Sequence, residues 1–340
     1  MNKKYKPLIG ITIGDPAGIG PEIILKALNE PRLYEECRPL VIGSSKILER
    51  AAKEALHLDQ IKTKVITVPK DAEYEFGTIN VVETGDYDIS NLEWGKEQAL
   101  AGQIAMDAID KSIEMGMKGE IDAVTTAPIN KRAIKMVGVQ QAGHTEIYLD
   151  KTKADYVLTM FDCLGMRVFH LSRHMSLRNA IDYATKEHVL ADVERIDYQL
   201  KKLGMENPKI AVAGINPHSG EGGLFGDEEI KEINPAIAAA QEEGINAIGP
   251  VPPDTLFNRG KHGEFDAILA MYHDQGHMPC KTLDLERSVS VTLGLPFIRC
   301  SVDHGTAFDI AGKGIATNLR MVTAIEITIK YARAMYDAEH

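Results

Sequence analysis

"PLIGITIGDPAGIGPEIILKALN", Pro7 to Asn29, sets the fold class. It opens on an apolar run rich in isoleucine, short and β-branched enough for a buried strand. A polar turn with glycines at 14, 18 and 20 follows, and Pro21 stands where the first turn of a helix accepts proline. Strand, tight turn and helix in that order make one βα unit. The glycine spacing is neither GxGxxG nor the phosphate loop GxxxxGK(S/T), so the turn reads as strand-to-helix geometry rather than a nucleotide fingerprint. Asp15, at the strand end, is the residue of this turn that can still contribute to a site.

The alternation continues along the chain. "PLVIG" (39–43) is a strand, with Ser44 expected to cap the helix after it. Residues 96–117 form a long amphipathic helix. Buried strands are expected at 122–128, 166–172, 209–214 and 265–272, with two more at 288–294 and 297–302. Helices are expected near 176–203, 227–243 and 319–337. Such alternation implies an α/β fold with a mostly parallel sheet, here expected as two α/β lobes with an interlobe cleft. Composition does not mark the lobe boundary, and there is no internal repeat, low-complexity tract or long linker.

The chain has 340 residues and a formal net charge of −11, which argues against a nucleic-acid partner because phosphates need a basic footprint. The four cysteines show no CxxC spacing, which suits a reducing cytoplasm. Lysines before the first apolar run imitate a secretion signal. The run is too short, holds Gly and Pro, and lacks a small-residue cleavage site. No window approaches the ~20 apolar residues of a membrane span.

Polar clusters fall directly after expected strands: "GDPAGIGPE", "TTAPINK", "GINPHSGEGG" and "MYHDQGHMPCK". In open α/β sheets, ligands bind at the carboxyl ends of strands. His174, His218 and His273 each follow a different strand, and three imidazoles suit a divalent transition metal with positions left for substrate oxygens. Three loop histidines drawn from eleven equally allow a solvated reading. His170, inside a strand, reads as a packed core histidine. His144 and Thr145 in "GHTE", Lys281, and Arg299 in "PFIRCS" suit a clamp on phosphate or carboxylate, or else surface ion pairs. In "SVDHGTAFDIAGKGIATN" (301–318), two glycines flank Lys313, and His304-Gly305-Thr306-Ala307 make a tight turn before Asp309.

That last string resembles the adenine-binding loop of the β-decarboxylating dehydrogenases, the isocitrate and isopropylmalate dehydrogenase group, which bind NAD without the usual fingerprint. With "GDPAGIGPE", "GHTE", "NPHSGEGG", "PPDTLF", "YHDQG" and "TLGLPFIR", the chain resembles the 4-hydroxythreonine-4-phosphate dehydrogenase family over about residues 7 to 335. The resemblance implies a homodimer with its active site shared between subunits. One divalent ion (Zn, Mg, Mn or Co) would be held by His174 and His218 of one subunit and His273 of the other. It implies substrate contacts at His144, Thr145, Lys281 and Arg299, and one at Ser290, where the family normally has asparagine. Asp254 and Asp274 match acidic positions near the metal. With Lys281 they are the catalytic candidates, Asp274 as a proton relay or metal support. His304, Gly305, Thr306, Ala307 and Asp309 would meet the adenine side of NAD.

His277 and His170 stand where the vitamin B6 enzymes of that family have apolar residues. Both resemble the branch acting on D-threonate or D-erythronate 4-phosphate, with His277 near C2 of the substrate. The implied reaction is NAD-linked oxidation at C3 and decarboxylation to dihydroxyacetone phosphate. The alternative is 4-phosphohydroxy-L-threonine oxidation in pyridoxal 5'-phosphate biosynthesis. Two other classes compete: a non-redox metal-dependent phosphatase or aldolase, which leaves the 301–318 loop unexplained, and a silent binding protein for acid-sugar phosphates.

Overall fold

The computed structural model describes residues 5–340, so Lys3 and Lys4 of the leader-like start lie outside the described residues. Twelve strands run β1 (Leu8–Thr12), β2 (Arg38–Gly43), β3 (Thr63–Ile66), β4 (Ile79–Glu83), β5 (Ala123–Thr126), β6 (Leu158–Cys163), β7 (Met166–His170), β8 (Ile210–Ala213), β9 (Ala247–Val251), β10 (Ala267–Ala270), β11 (Ser288–Leu293) and β12 (Ile298–Val302). The fold is α/β and mostly parallel, as the alternation requires. The chain divides into two compact units. One runs to Val157 and resumes over Val289–Arg333, and the other takes Leu158–Ser288 with the C-terminal Ala334–His340.

In the first unit the strand order is β3-β4-β2-β1-β5-β12-β11, all parallel except the β11–β12 pair. Strand β1 is buried along its length, and helices cover it, so its side chains need not alternate. The quoted stretch folds as read: Gly20–Ala27 is a helix with proline in its first turn. Gly14 has φ of +71°, and a Cβ there would lie 2.5 Å from the Pro128 carbonyl. Only glycine lets the β1 end close on the β5 end in this way.

In the second unit the order is β6-β7-β10-β8-β9. β6 and β7 form a two-residue hairpin turned by Leu164 and Gly165, with φ of 53° and 91°. Both angles are positive, as the twist of a tight hairpin favours. The remaining pairs are parallel. The carboxyl ends of β7, β8 and β10 therefore share one edge of this unit.

Four details differ from the sequence reading. Ser44 occupies the N-cap position, but its side chain makes no capping bond, and Glu83 accepts the Ser45 N–H at 2.8 Å instead. The expected helix at 176–203 is two, Leu177–Tyr183 and Lys186–Lys202, because Thr185 caps the second. The stretch after β10 is helical from His273 to Leu283 despite Gly276 and Pro279. Strands β3, β4, β6 and β9 were not anticipated.

Candidate functional site

The first unit gathers an anion-binding group. Arg299 lies on β12, 2% exposed. Its Nε and Nη2 donate to Thr126 Oγ1 at 3.2 and 2.7 Å, and Nη1 donates to Thr292 Oγ1 at 3.2 Å. Neighbouring strands set these contacts, since β12 runs between β5 and β11. Among the described residues no carboxylate stands within ion-pair distance of it. Burial presses against the charge, yet a guanidinium does not give up its proton. The Tyr148 ring lies 5.5 Å from it.

His144 begins the helix His144–Thr152, with Thr145 next in its first turn. Burial first, and the Arg299 charge second, hold His144 well below its usual pKa, so it is neutral. Its Nε2 is buried, with no hydrogen-bond partner among the described residues. A cation held by hydroxyls alone, a partnerless imidazole nitrogen and a helix N-terminus make a cradle for an anion. Ser290 lies in the same unit, on β11 opposite Ser301 of β12.

The loop His304–Asp309 forms a second group in this unit. It lies against the Gly14–Gly20 turn, where the Ile19 N–H donates to the Thr306 carbonyl at 3.0 Å. Thr306 is buried, while Gly305 and Asp309 are exposed.

Asp15 is fully buried in that turn. Its Oδ1 accepts the Ala17 N–H at 2.8 Å, whereas Oδ2 has no hydrogen-bond partner among the described residues. Burial raises its pKa to about 6, against the lowering effect of its backbone hydrogen bonds. A raised carboxyl pKa means the fold favours the neutral acid. That contribution is complete below the ordinary value of 3.8 and is lost as pH rises through about 6. Asp15→Asn is therefore expected to stabilise the protein at pH ~8 by up to about 3 kcal/mol, at 1.36 kcal/mol per pKa unit. Denaturant unfolding at pH ~4 and ~8 checks it: the gain should shrink at the lower pH.

The second unit carries the histidines. His174 and His273 have ring centroids 6.1 Å apart and line one pocket of about 290 Å³. His273 opens the helix His273–Leu283, and its Nδ1 lies 2.6 Å from Asp274 Oδ1. A carboxylate only accepts, so Nδ1 carries the proton and Nε2 keeps its lone pair for a ligand. His277 stacks on His273 at 3.9 Å, and His170 lies 4.1 Å from His277. His170 is buried, neither ring nitrogen has a hydrogen-bond partner among the described residues, and burial, then the neighbouring histidines, push its pKa well down. A Cβ at position 276 would collide with its ring, so Gly276 is what lets this helix approach β7. Further along the helix, Lys281 Nζ lies 5.9 Å from the Phe161 ring centre.

Among the described residues His218 does not join this pair in a three-ligand group. It begins a run of six residues with positive φ: His218 (53°), Ser219 (52°), Gly220 (80°), Glu221 (44°), Gly222 (65°) and Gly223 (97°). A left-handed conformation costs each non-glycine roughly 1–2 kcal/mol. Buried Glu229 braces the approach to the run: one oxygen accepts the Ile215 and Asn216 N–H groups, each at 2.8 Å. Its other oxygen accepts the Asn216 amide at 2.9 Å. The helix Pro253–Lys261, with exposed Asp254 in its first turn, packs against this run.

Donor type and the Asp274-oriented imidazole both fit a divalent ion. Among the described residues, though, no three His, Cys, Asp or Glu of one chain gather closely enough to hold it. Exposed Met175 and Leu177 flank His174, and exposed Leu224 and Phe225 follow His218. Sequence reading missed Thr126 and Thr292, which hold Arg299, and Glu229. Only the three acidic residues of "GDEE" beside the glycine-rich loop hinted at the last.

The family model described as "Pyridoxal phosphate biosynthetic protein PdxA" matches residues 35–328. A Symbiobacterium thermophilum protein provisionally named D-threonate 4-phosphate dehydrogenase is 49% identical over 332 residues, covering 97% of this chain and 98% of its own. A solved 4-hydroxythreonine-4-phosphate dehydrogenase from Klebsiella pneumoniae is 40% identical, with a TM-score of 0.90 over 96% of this chain and 100% of its own. Another from Burkholderia phymatum is 44% identical, with a TM-score of 0.87 over 96% and 98%.

Proposed function

This chain belongs to the PdxA family, and from that premise we propose that it converts D-threonate or D-erythronate 4-phosphate, with NAD, to dihydroxyacetone phosphate, CO2 and NADH. It is a dehydrogenase of 4-phosphorylated hydroxy acids with an NAD-type cofactor. The observation that carries the substrate class is Arg299, a buried guanidinium held by hydroxyls alone among the described residues, beside a neutral His144. Such a pair suits a bound phosphate or carboxylate.

NAD would supply the hydride acceptor for C3; the carboxylate, then β to a carbonyl, would leave as CO2, and a proton would take up the electron pair left at C2. A divalent ion (Zn, Mg, Mn or Co) held by His174, His218 and His273 would supply Lewis acidity at the C3 oxygen. Arg299, His144 and Thr145 would fix one anionic end of the substrate, and Lys281 the other. Asp274 would keep His273 in its ligating tautomer, Asp254 would lie near the ion, Ser290 would contact the substrate, and His277 would read the C2 substituent. His304, Gly305, Thr306, Ala307 and Asp309 would meet the adenine side.

We propose a homodimer that completes the ligand set, supported by the exposed apolar side chains beside His174 and His218. A cytoplasmic location is supported by four buried free thiols. Among the described residues no helix is long and apolar enough to cross a membrane.

The second reading is 4-phosphohydroxy-L-threonine oxidation, favoured by the names of the solved relatives. NADH absorbance with each of the three substrates separates them. The proposal expects faster NADH formation from the acid-sugar phosphates. Preference for the amino substrate would reverse it.

A further inference from the structure

The turn and first helix, residues 14–26, have a role that the reaction does not explain. Gly18 has no space for a side chain: a Cβ would lie 2.8 Å from Thr306 Cβ and 2.9 Å from its carbonyl oxygen. Four residues on, Glu22 is completely buried, and both of its oxygens face one loop. They accept the Gly312 N–H at 2.5 Å and the Gly314 N–H at 3.1 Å. One helical turn later, Lys26 Nζ donates to the carbonyls of Gly314 and Ala316 at 2.7 and 2.6 Å. Asn318 closes the set by donating to the Lys26 carbonyl at 3.1 Å.

The clasped segment turns tightly at two glycines. Gly312 and Gly314 have φ of +78° and +66°, and each is pressed against a neighbour, Gly312 on the Trp94 ring and Gly314 on the Ala55 carbonyl. A buried carboxylate that accepts two alternate backbone N–H groups fixes such an arch far better than water does.

We propose that Glu22 and Lys26 are positioning residues for the dinucleotide, clasping the 312–316 arch so that the His304–Asp309 turn is preshaped for its adenine side. Neither residue touches the cofactor. Their effect is that the loop is ordered on folding rather than on binding, so cofactor affinity does not bear that entropy. The inference rests on the reading of residues 304–309 as the cofactor loop.

The test is fluorescence titration with NADH, without substrate, on three full-length proteins: wild type, Glu22→Gln and Lys26→Met. Glutamine keeps the size of Glu22 but turns one acceptor into a donor facing an N–H. Lys26 is only partly buried, so its replacement keeps the fold even if Glu22→Gln does not. The expected result is an NADH dissociation constant raised about tenfold in Glu22→Gln and severalfold in Lys26→Met. Affinity for the phosphorylated substrate should hold at the wild-type value, and the kinetic defect should fall on KM for NAD rather than on kcat. Wild-type NADH affinity in both folded variants overturns the inference, as does equal weakening of substrate and NADH binding, which marks a general lesion. Failure of the wild type to bind NADH overturns the cofactor-loop reading itself, and the inference with it.

Discussion

Alanine at His218 or at His273 is expected to lower kcat/KM at least about a thousandfold while leaving the fold intact. A bound ion contributes several kcal/mol of charge stabilisation, and about 4 kcal/mol corresponds to three orders of magnitude. His218 is exposed and His273 partly so, so truncating either leaves no buried cavity, and melting behaviour should hold. Elemental analysis of the purified variants supplies the second readout, since loss of one imidazole should strip the ion. Asp274→Asn should act more gently, by about 10–100-fold in metal affinity, because it disturbs the tautomer of His273 rather than removing a ligand. Metal content and turnover that survive both histidine changes would remove these residues from the site.

Arg299→Met is expected to raise KM for the phosphorylated substrate about a hundredfold, with a smaller change in kcat. A charge-assisted pair contributes roughly 1.5–3 kcal/mol, and about 2.7 kcal/mol is a factor of a hundred. Methionine fills much of the space and removes a buried charge that, among the described residues, has only hydroxyl partners. Stability should therefore be kept, as it often is when an uncompensated ion gives way to an apolar group. Inorganic phosphate should raise the Tm of the wild type and not of the variant, because only a state that binds the anion gains from it. A fall in kcat at unchanged KM would instead place Arg299 in transition-state stabilisation.

The strands that position these groups were legible because they are buried, so β1, β2, β8 and β10 read as largely apolar runs. β3, by contrast, is an edge strand of Thr, Lys, Val and Ile that is mostly not buried, and nothing in "TKVI" demands pairing. β6 was hidden by a Leu164-Gly165 turn that lacks the usual Asn-Gly or Asp-Gly signal. The helix carrying His273 contains Gly276 and Pro279, two residues that ordinarily argue against a helix. Tertiary contact decides the matter, since Gly276 is required where His170 comes close.

Among the candidate residues, the positions of His174, His218 and His273 after strands followed from the alternation. The neutral state of His144 did not, because burial is a property of the folded chain. Glu22 was legible only as a helix-start glutamate, and its attachment to glycines almost three hundred positions away was not.

The left-handed run at 218–223 bears on how this chain can change over generations. Replacement at His218, Ser219 or Glu221 meets a backbone filter before any chemical one, because β-branched and bulky side chains rarely adopt positive φ. Variation there is confined to the few residue types that accept that handedness. Position 277 lies on right-handed helix, so its backbone accepts most residue types, and the limit there comes instead from the rings of His170, His273 and Phe161 packed against it. Two parts of one candidate site therefore differ in what restricts them: backbone handedness at 218–223, and the space between neighbouring rings at His277.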